Sequence, residues 1–344
     1  MSRLDDYRTA LLVASPGISG DELGALLDAA GPQFPQFIIA HGLGPLWHER
    51  TGREAFHSSR MQAEALFAMQ EKALADIDAT FTGAGIDYVV LKGAANRLPL
   101  YDNPAVRACF DIDLLVRPED RLKAATALVD AGFEALPKTN NISIELLLTR
   151  GKIDVDLHWR LLRDGRLRNE DINGMLERRC NVEGHWMLNA DDALFLLLVH
   201  PAFAKHLSSW ELGLHRVADI LRWLQTQQAD WKTVRARLED NDVRTAAWAT
   251  LRWLQLLTHP NTPSLAISML EDLEPGNIRR RWLNRWLVHD LSERAAGLHK
   301  ARLLGFSLTL HDNFKGAWRA LAGRYRAHRR RHADVAAFGE LPGQ

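Results

Sequence analysis

Apolar residues recur at three- and four-residue spacing through most of this chain, and a stretch near the middle breaks that rhythm. Residues 1–84 read as helical. The segment "GDELGALLDAAG" carries acidic residues in its first turn and a glycine after its last, as a short helix should. "PQFPQFIIAHGLGPLWHER" reads as a broken pair of short helices punctuated by Gly44 and Pro45. "SSRMQAEALFAMQEKALADIDATFTGAGI" predicts one long helix, stopped by the Gly83–Ala84–Gly85 run.

The pattern changes over residues 85–166. "DYVVLKG" is a short β-branched run ending at a glycine, and "FDIDLLV" is a second run. "RPEDRLKAATALVDAGF" then predicts an amphipathic helix with Pro118 at its start and Gly132 as its cap. "ISIELLLTRGKIDVDLHWRL" reads as two strands joined by a tight turn at Arg150–Gly151–Lys152. The fold class expected is therefore α+β, a small mixed sheet between two helical regions. Helical periodicity resumes over 167–333, after a possible short strand in "VEGHWMLN", and residues 334–344 are expected to be a frayed tail.

Composition changes this picture little. The 344 residues include 43 basic and 43 acidic side chains, a balance that argues against a surface devoted to nucleic acid. Cys109 and Cys180 are the two cysteines, too few for a disulfide framework, so a reducing compartment is the default. The start of the chain has a short apolar run interrupted by Asp5 and Asp6, unlike a spanning helix or signal peptide. A cytoplasmic protein without membrane attachment is the expectation.

Candidate chemistry sits in the two runs with alternating carboxylates. Residues two apart share one face of a strand, so Asp111 and Asp113 project together, as do Asp154, Asp156 and His158. Like charges so close repel each other and resist desolvation. A divalent cation with oxygen ligands, Mg2+ or Mn2+, removes both problems. A lone Asp-x-Asp more often marks a solvated strand face; a second one on a plausible neighbour favours a metal site. The "VVLKGAA" turn adds Gly93, where backbone N–H groups can approach a phosphate, and Lys92, a point charge for it.

Other polar residues are less specific. His200, Lys205, His206 and Trp210 lie on or just beyond one predicted helix interrupted by Pro201. Arg107 can reach a phosphate, although a surface loop is the simpler expectation. Arg216 and Asp219 are expected to pair within their own helix. The basic clusters "IRRRWLNRW" and "GRYRAHRRRH" read first as solvated helix faces, with an RNA backbone or an anionic peptide as the alternative.

Together, "LKG", "DIDLLV" with its following helix, and "VDLHW" resemble the nucleotidyltransferase superfamily of the DNA polymerase β type. The closer likeness is to the bacterial family of uncharacterised nucleotidyltransferases, over about residues 30–225. Ala94 stands where the superfamily usually has serine or glycine, and Phe110 where the narrower family commonly has glycine. The resemblance implies transfer of a nucleotidyl group from a nucleoside triphosphate to a hydroxyl or phosphate of an acceptor. It implies metal binding by Asp111, Asp113 and Asp156, with Asp156 also drawing the acceptor proton. Lys92, Gly93, His158, His200, Lys205 and His206 match the family's pattern; of these, Lys92, Gly93, His158, Lys205 and His206, together with Arg107 from its position before Asp111, are the candidates to surround the nucleotide. Relatives among tailoring enzymes suggest a ribosomally made, lasso-type peptide as acceptor, and the Arg279–Arg281 run suggests an anionic or phosphorylated peptide or small molecule. The competing readings are an antitoxin-like partner of a toxin and a non-catalytic nucleotide-binding module.

Overall fold

The structure is a computed structural model that describes residues 3–136, 144–207, 213–226, 228–258, 260, 262–288 and 299–339. Trp210 lies outside the described residues. Strands β1 (Tyr88–Leu91), β2 (Asp111–Val116), β3 (Glu134–Ala135), β4 (Glu145–Arg150), β5 (Ile153–His158), β6 (Cys180–Val182) and β7 (His185–Met187) form one sheet in the order β3-β4-β5-β2-β1-β7-β6. The β2–β5 and β1–β7 pairs are parallel and the other four are antiparallel. The α+β expectation holds, with a broader sheet than the middle stretch alone predicts. "VEGHWMLN" supplies β7, which adds to the free edge of β1 from beyond residue 166.

Alternation along the strands separates two cores. Tyr88, Val90, Ile112, Leu114, Val155 and Leu157 pack with Ile77 and Phe81 of the 57–84 helix and with Ala124 and Leu128 of the 121–130 helix. Val89, Leu91 and Leu115 face the opposite way, into a larger core built from the first helices and those after residue 190. The carboxylates of β2 share the face of Leu115, so the later helices cover them. Helix stops follow the expected chemistry at one end of the long helix: Gly85 takes a left-handed conformation after Ala84.

The far end departs from expectation. Instead of fraying after 333, a helix runs from Phe314 to Gly339. Phe338 is buried and stacks on Trp159, with ring centroids 5.2 Å apart. Arg326 and Arg330 of that helix reach Asp164. Among the described residues, no helix is long and apolar enough to cross a membrane.

Candidate active site

The parallel register of β2 and β5 sets Asp111 beside Asp154 and Asp113 beside Asp156. Because aligned residues of neighbouring strands point to one face, the two Asp-x-Asp pairs meet there. Asp111, Asp113 and Asp156 line a cleft of about 180 Å³, whereas Asp154 stays exposed outside it. Lys92, His158, Lys205 and His206 line the same cleft, so seven of the nine residues singled out from sequence come together.

At its centre the contacts are short. Lys92 Nζ donates to Asp113 Oδ1 at 2.6 Å, and His158 Nε2 lies 2.8 Å from the same oxygen. Lys92 Nζ and His158 Nε2 are themselves 3.2 Å apart. Behind the ring, His158 Nδ1 lies 3.1 Å from Glu145 Oε2, a charge contact whose geometry makes no hydrogen bond. Lys92 holds this position at the first residue of the 92–100 helix with a left-handed backbone, φ +53°. A non-glycine residue in that region is strained, and such strain gathers at functional sites.

Electrostatics divide the carboxylates. Burial would raise Asp113, but Lys92 and His158 outweigh it and hold its carboxyl well below the usual carboxylate range. Burial likewise opposes the charge on Lys92, and the attraction of Asp113 still keeps its pKa above the ordinary value. Asp111 has no such partner: burial first, then the charge of Asp113, raise it. Burial, then Asp113 and Glu145, push Asp156 up to about 7. Two carboxyls thus resist ionisation beside a third that is fully charged, a set that a further cation would stabilise.

A metal fits the donors present. Asp113, Asp156 and His158 each offer one ligand atom, and the three atoms lie within 4.8 Å of one another. This group is compatible with metal binding, with Asp111 beside it on the cleft wall. His158 joins it where the sequence reading had placed three aspartates alone.

Gly93 and Arg107 lie elsewhere. A Cβ on Gly93 would come within 2.8 Å of Cys109 Sγ and 3.0 Å of Arg107 Nη1, so the glycine permits close packing at the helix start. Arg107 is not a surface loop residue: it is buried, and its Nε and Nη2 donate to Asp219, the latter at 2.6 Å. Tyr101 also donates to Asp219 at 2.8 Å. Asp219 is therefore taken by the loop before β2 and not by Arg216, which overturns the pair expected within the helix. Arg216 instead lines the cleft.

Sequence reading missed Glu145, Arg163, Arg166 and Arg216, all on the cleft wall. Glu145 was recoverable, since a two-residue turn after Arg150 sets it opposite His158 in the hairpin. The arginines come from loops and helices whose approach no local pattern encodes. Burial, and then Arg163 and Arg324, lower Arg166 to about 10, which leaves it cationic at neutral pH. Burial, followed by Lys92 and Arg216, holds His200 well below its ordinary value and so neutral. The Arg279–Arg281 run does not line the cleft: Arg279 donates to the Asp312 carbonyl at 2.8 Å, and Arg280 pairs with Glu274.

A family model described as "Uncharacterised nucleotidyltransferase" matches residues 39–259, well over half of the chain. No curated protein and no solved structure matches.

Proposed function

The chain belongs to the uncharacterised nucleotidyltransferase family, and from that premise we propose that it moves a nucleotidyl group from a nucleoside triphosphate to an anionic acceptor in the presence of Mg2+. The observation that carries this reading is the register of β2 and β5, which gathers Asp111, Asp113 and Asp156 in a cleft also lined by Lys92, Arg163, Arg166, Lys205 and Arg216. A triphosphate in that cleft meets these cations together with carboxylates that would repel it unless neutralised. Asp111, Asp113 and Asp156 would hold the ion, with His158 beside them, and the bound ion would supply that neutralisation and polarise the reacting phosphate.

The chain's own groups do the rest. Lys92 is placed to pass from Asp113 to the phosphates. Asp156, on the cleft wall beside Asp113, would accept the proton of the acceptor. A bond forms between the acceptor oxygen and the α-phosphorus, the bond to the β-phosphate oxygen breaks, and pyrophosphate leaves. Arg163 and Arg166 in the cleft lining suit an acceptor bearing phosphate or carboxylate, such as a modified peptide.

Mass spectrometry of candidate acceptors, after incubation with the four nucleoside triphosphates and Mg2+, tests this reading. A nucleotidyl mass increment, matched by pyrophosphate release and lost in Asp111→Asn, is the expected result. Nucleotide binding without pyrophosphate release under any condition would instead mark a non-catalytic binding module.

A further inference from the structure

A second cavity adjoins the cleft and is of different character. It lies between the 92–100, 190–204 and 214–226 helices, with walls from Leu91, Leu196, Leu197 and Ile220. Lys92, His200 and Arg216 line both spaces, so the chamber lies directly beside the cleft that would take the triphosphate. Two polar groups stand out in its lining. Trp223 is 5% exposed, and its indole N–H has no hydrogen-bond partner among the described residues. Asn96 is also buried, and its amide makes one long contact, Nδ2 to Asp219 Oδ2 at 3.5 Å.

An orphaned buried donor costs free energy and calls for a ligand to satisfy it. The chamber measures about 50 Å³. At ~10–15 Å³ per water that is room for roughly three to five waters, or about 100–150 Å³ of displaced liquid. One flat ring system fits such a space and a long aliphatic chain does not. Apolar walls with a few convergent polar groups are what a heteroaromatic ring requires, and an Asn amide can both donate to and accept from a base edge.

We propose that this chamber receives the nucleobase of the nucleoside triphosphate, with Asn96 and Trp223 reading its edge. The proposal rests on the cleft being the triphosphate site. It places the phosphates over Lys92 and the base behind Lys92, so that His200 and Arg216 flank the sugar between them.

Calorimetry with the full chain and Mg2+ tests it, using α,β-methylene analogues of the four nucleoside triphosphates and inorganic tripolyphosphate. At least one analogue should bind tenfold or more tightly than tripolyphosphate. Ala193→Leu, which adds bulk to the lining, should bring that analogue down to the tripolyphosphate level while tripolyphosphate affinity is unchanged. Trp223→Phe and Asn96→Leu remove the polar groups while keeping a ring and a branched side chain in place, and should each weaken the preferred analogue several-fold or change which base is preferred. They carry the test if the larger leucine prevents folding. Equal binding of all analogues and tripolyphosphate by the unaltered protein overturns the proposal. So does full analogue affinity in all the variants, which would leave the chamber to the acceptor. If neither tripolyphosphate nor any analogue binds, the reading of the cleft itself falls.

Discussion

Asp111, Asp113 and Asp156 share a cleft but differ in what they cost the fold, and that difference is measurable. Asp113 is charged and bonded to Lys92 and His158, so Asp113→Asn leaves a partly buried ammonium without its counter-ion and should destabilise the protein by about 2–4 kcal/mol. Asp111 and Asp156 are raised above their ordinary values, so ionising them weakens the folded state. For Asp156 the folded protein holds a proton that the unfolded chain gives up between pH about 4 and about 7. Its penalty therefore grows as pH rises through that window and is complete above it. Without metal at pH 8, Asp156→Asn should gain roughly 1–3 kcal/mol, and almost nothing at pH 4. Asp111→Asn should shift stability in the same direction, and each of the three substitutions should abolish nucleotidyl transfer. Urea unfolding at the two pH values, in chelator, checks the signs; a stabilising Asp113→Asn would show that its pairing with Lys92 is wrongly assigned. The strand period alone made these aspartates legible. It could not show which of them is paired, because Lys92 arrives from another strand end.

Among the elements, the paired strands of the hairpin and the long helix were readable because each signal is local: alternation, a glycine stop, a two-residue turn. What was hidden depends on contacts far apart in sequence. The short strand in "VEGHWMLN" was readable, but its place beside β1 in the same sheet, as β7 (His185–Met187), was not. The 214–226 helix is anchored by Asp219 to Arg107, 112 positions away, so the nearer Arg216 was a misleading partner. Residues 334–344, after a run of exposed arginines, read as a fraying end, yet the helix continues to Gly339 and Phe338 locks it onto Trp159 directly after β5. Removing that ring empties a buried site, so Phe338→Ala should cost about 3 kcal/mol in urea unfolding. Tyr325→Ala, on an exposed stretch of the same helix, should cost little. Equal losses at both positions would mean the helix is held by its length and not by this contact.

At the scale of the whole molecule, equal numbers of acidic and basic residues conceal how many of both signs gather in one cleft. Net charge reports on solubility and long-range attraction, and it cannot register such local clustering. For the same reason the basic run at 279–281 attracted attention that its position does not support. Arg279 braces a carbonyl at Asp312, Arg280 is paired with Glu274, and Arg281 is exposed; none lines the cleft. Exposed charges more than about 10 Å from a bound anion are largely screened at ordinary salt. Arg280→Glu and Arg281→Glu should therefore leave the KM of an anionic acceptor within about twofold of its original value at 0.15 M salt. Arg163→Gln, on the cleft wall, should raise that KM about tenfold or more, as expected for loss of a charge-assisted hydrogen bond, while the KM of the nucleotide moves less. Steady-state kinetics with each substrate varied in turn separate the two. An acceptor KM that follows Arg280 and Arg281 but ignores Arg163 would move the acceptor from the cleft to the far helical surface.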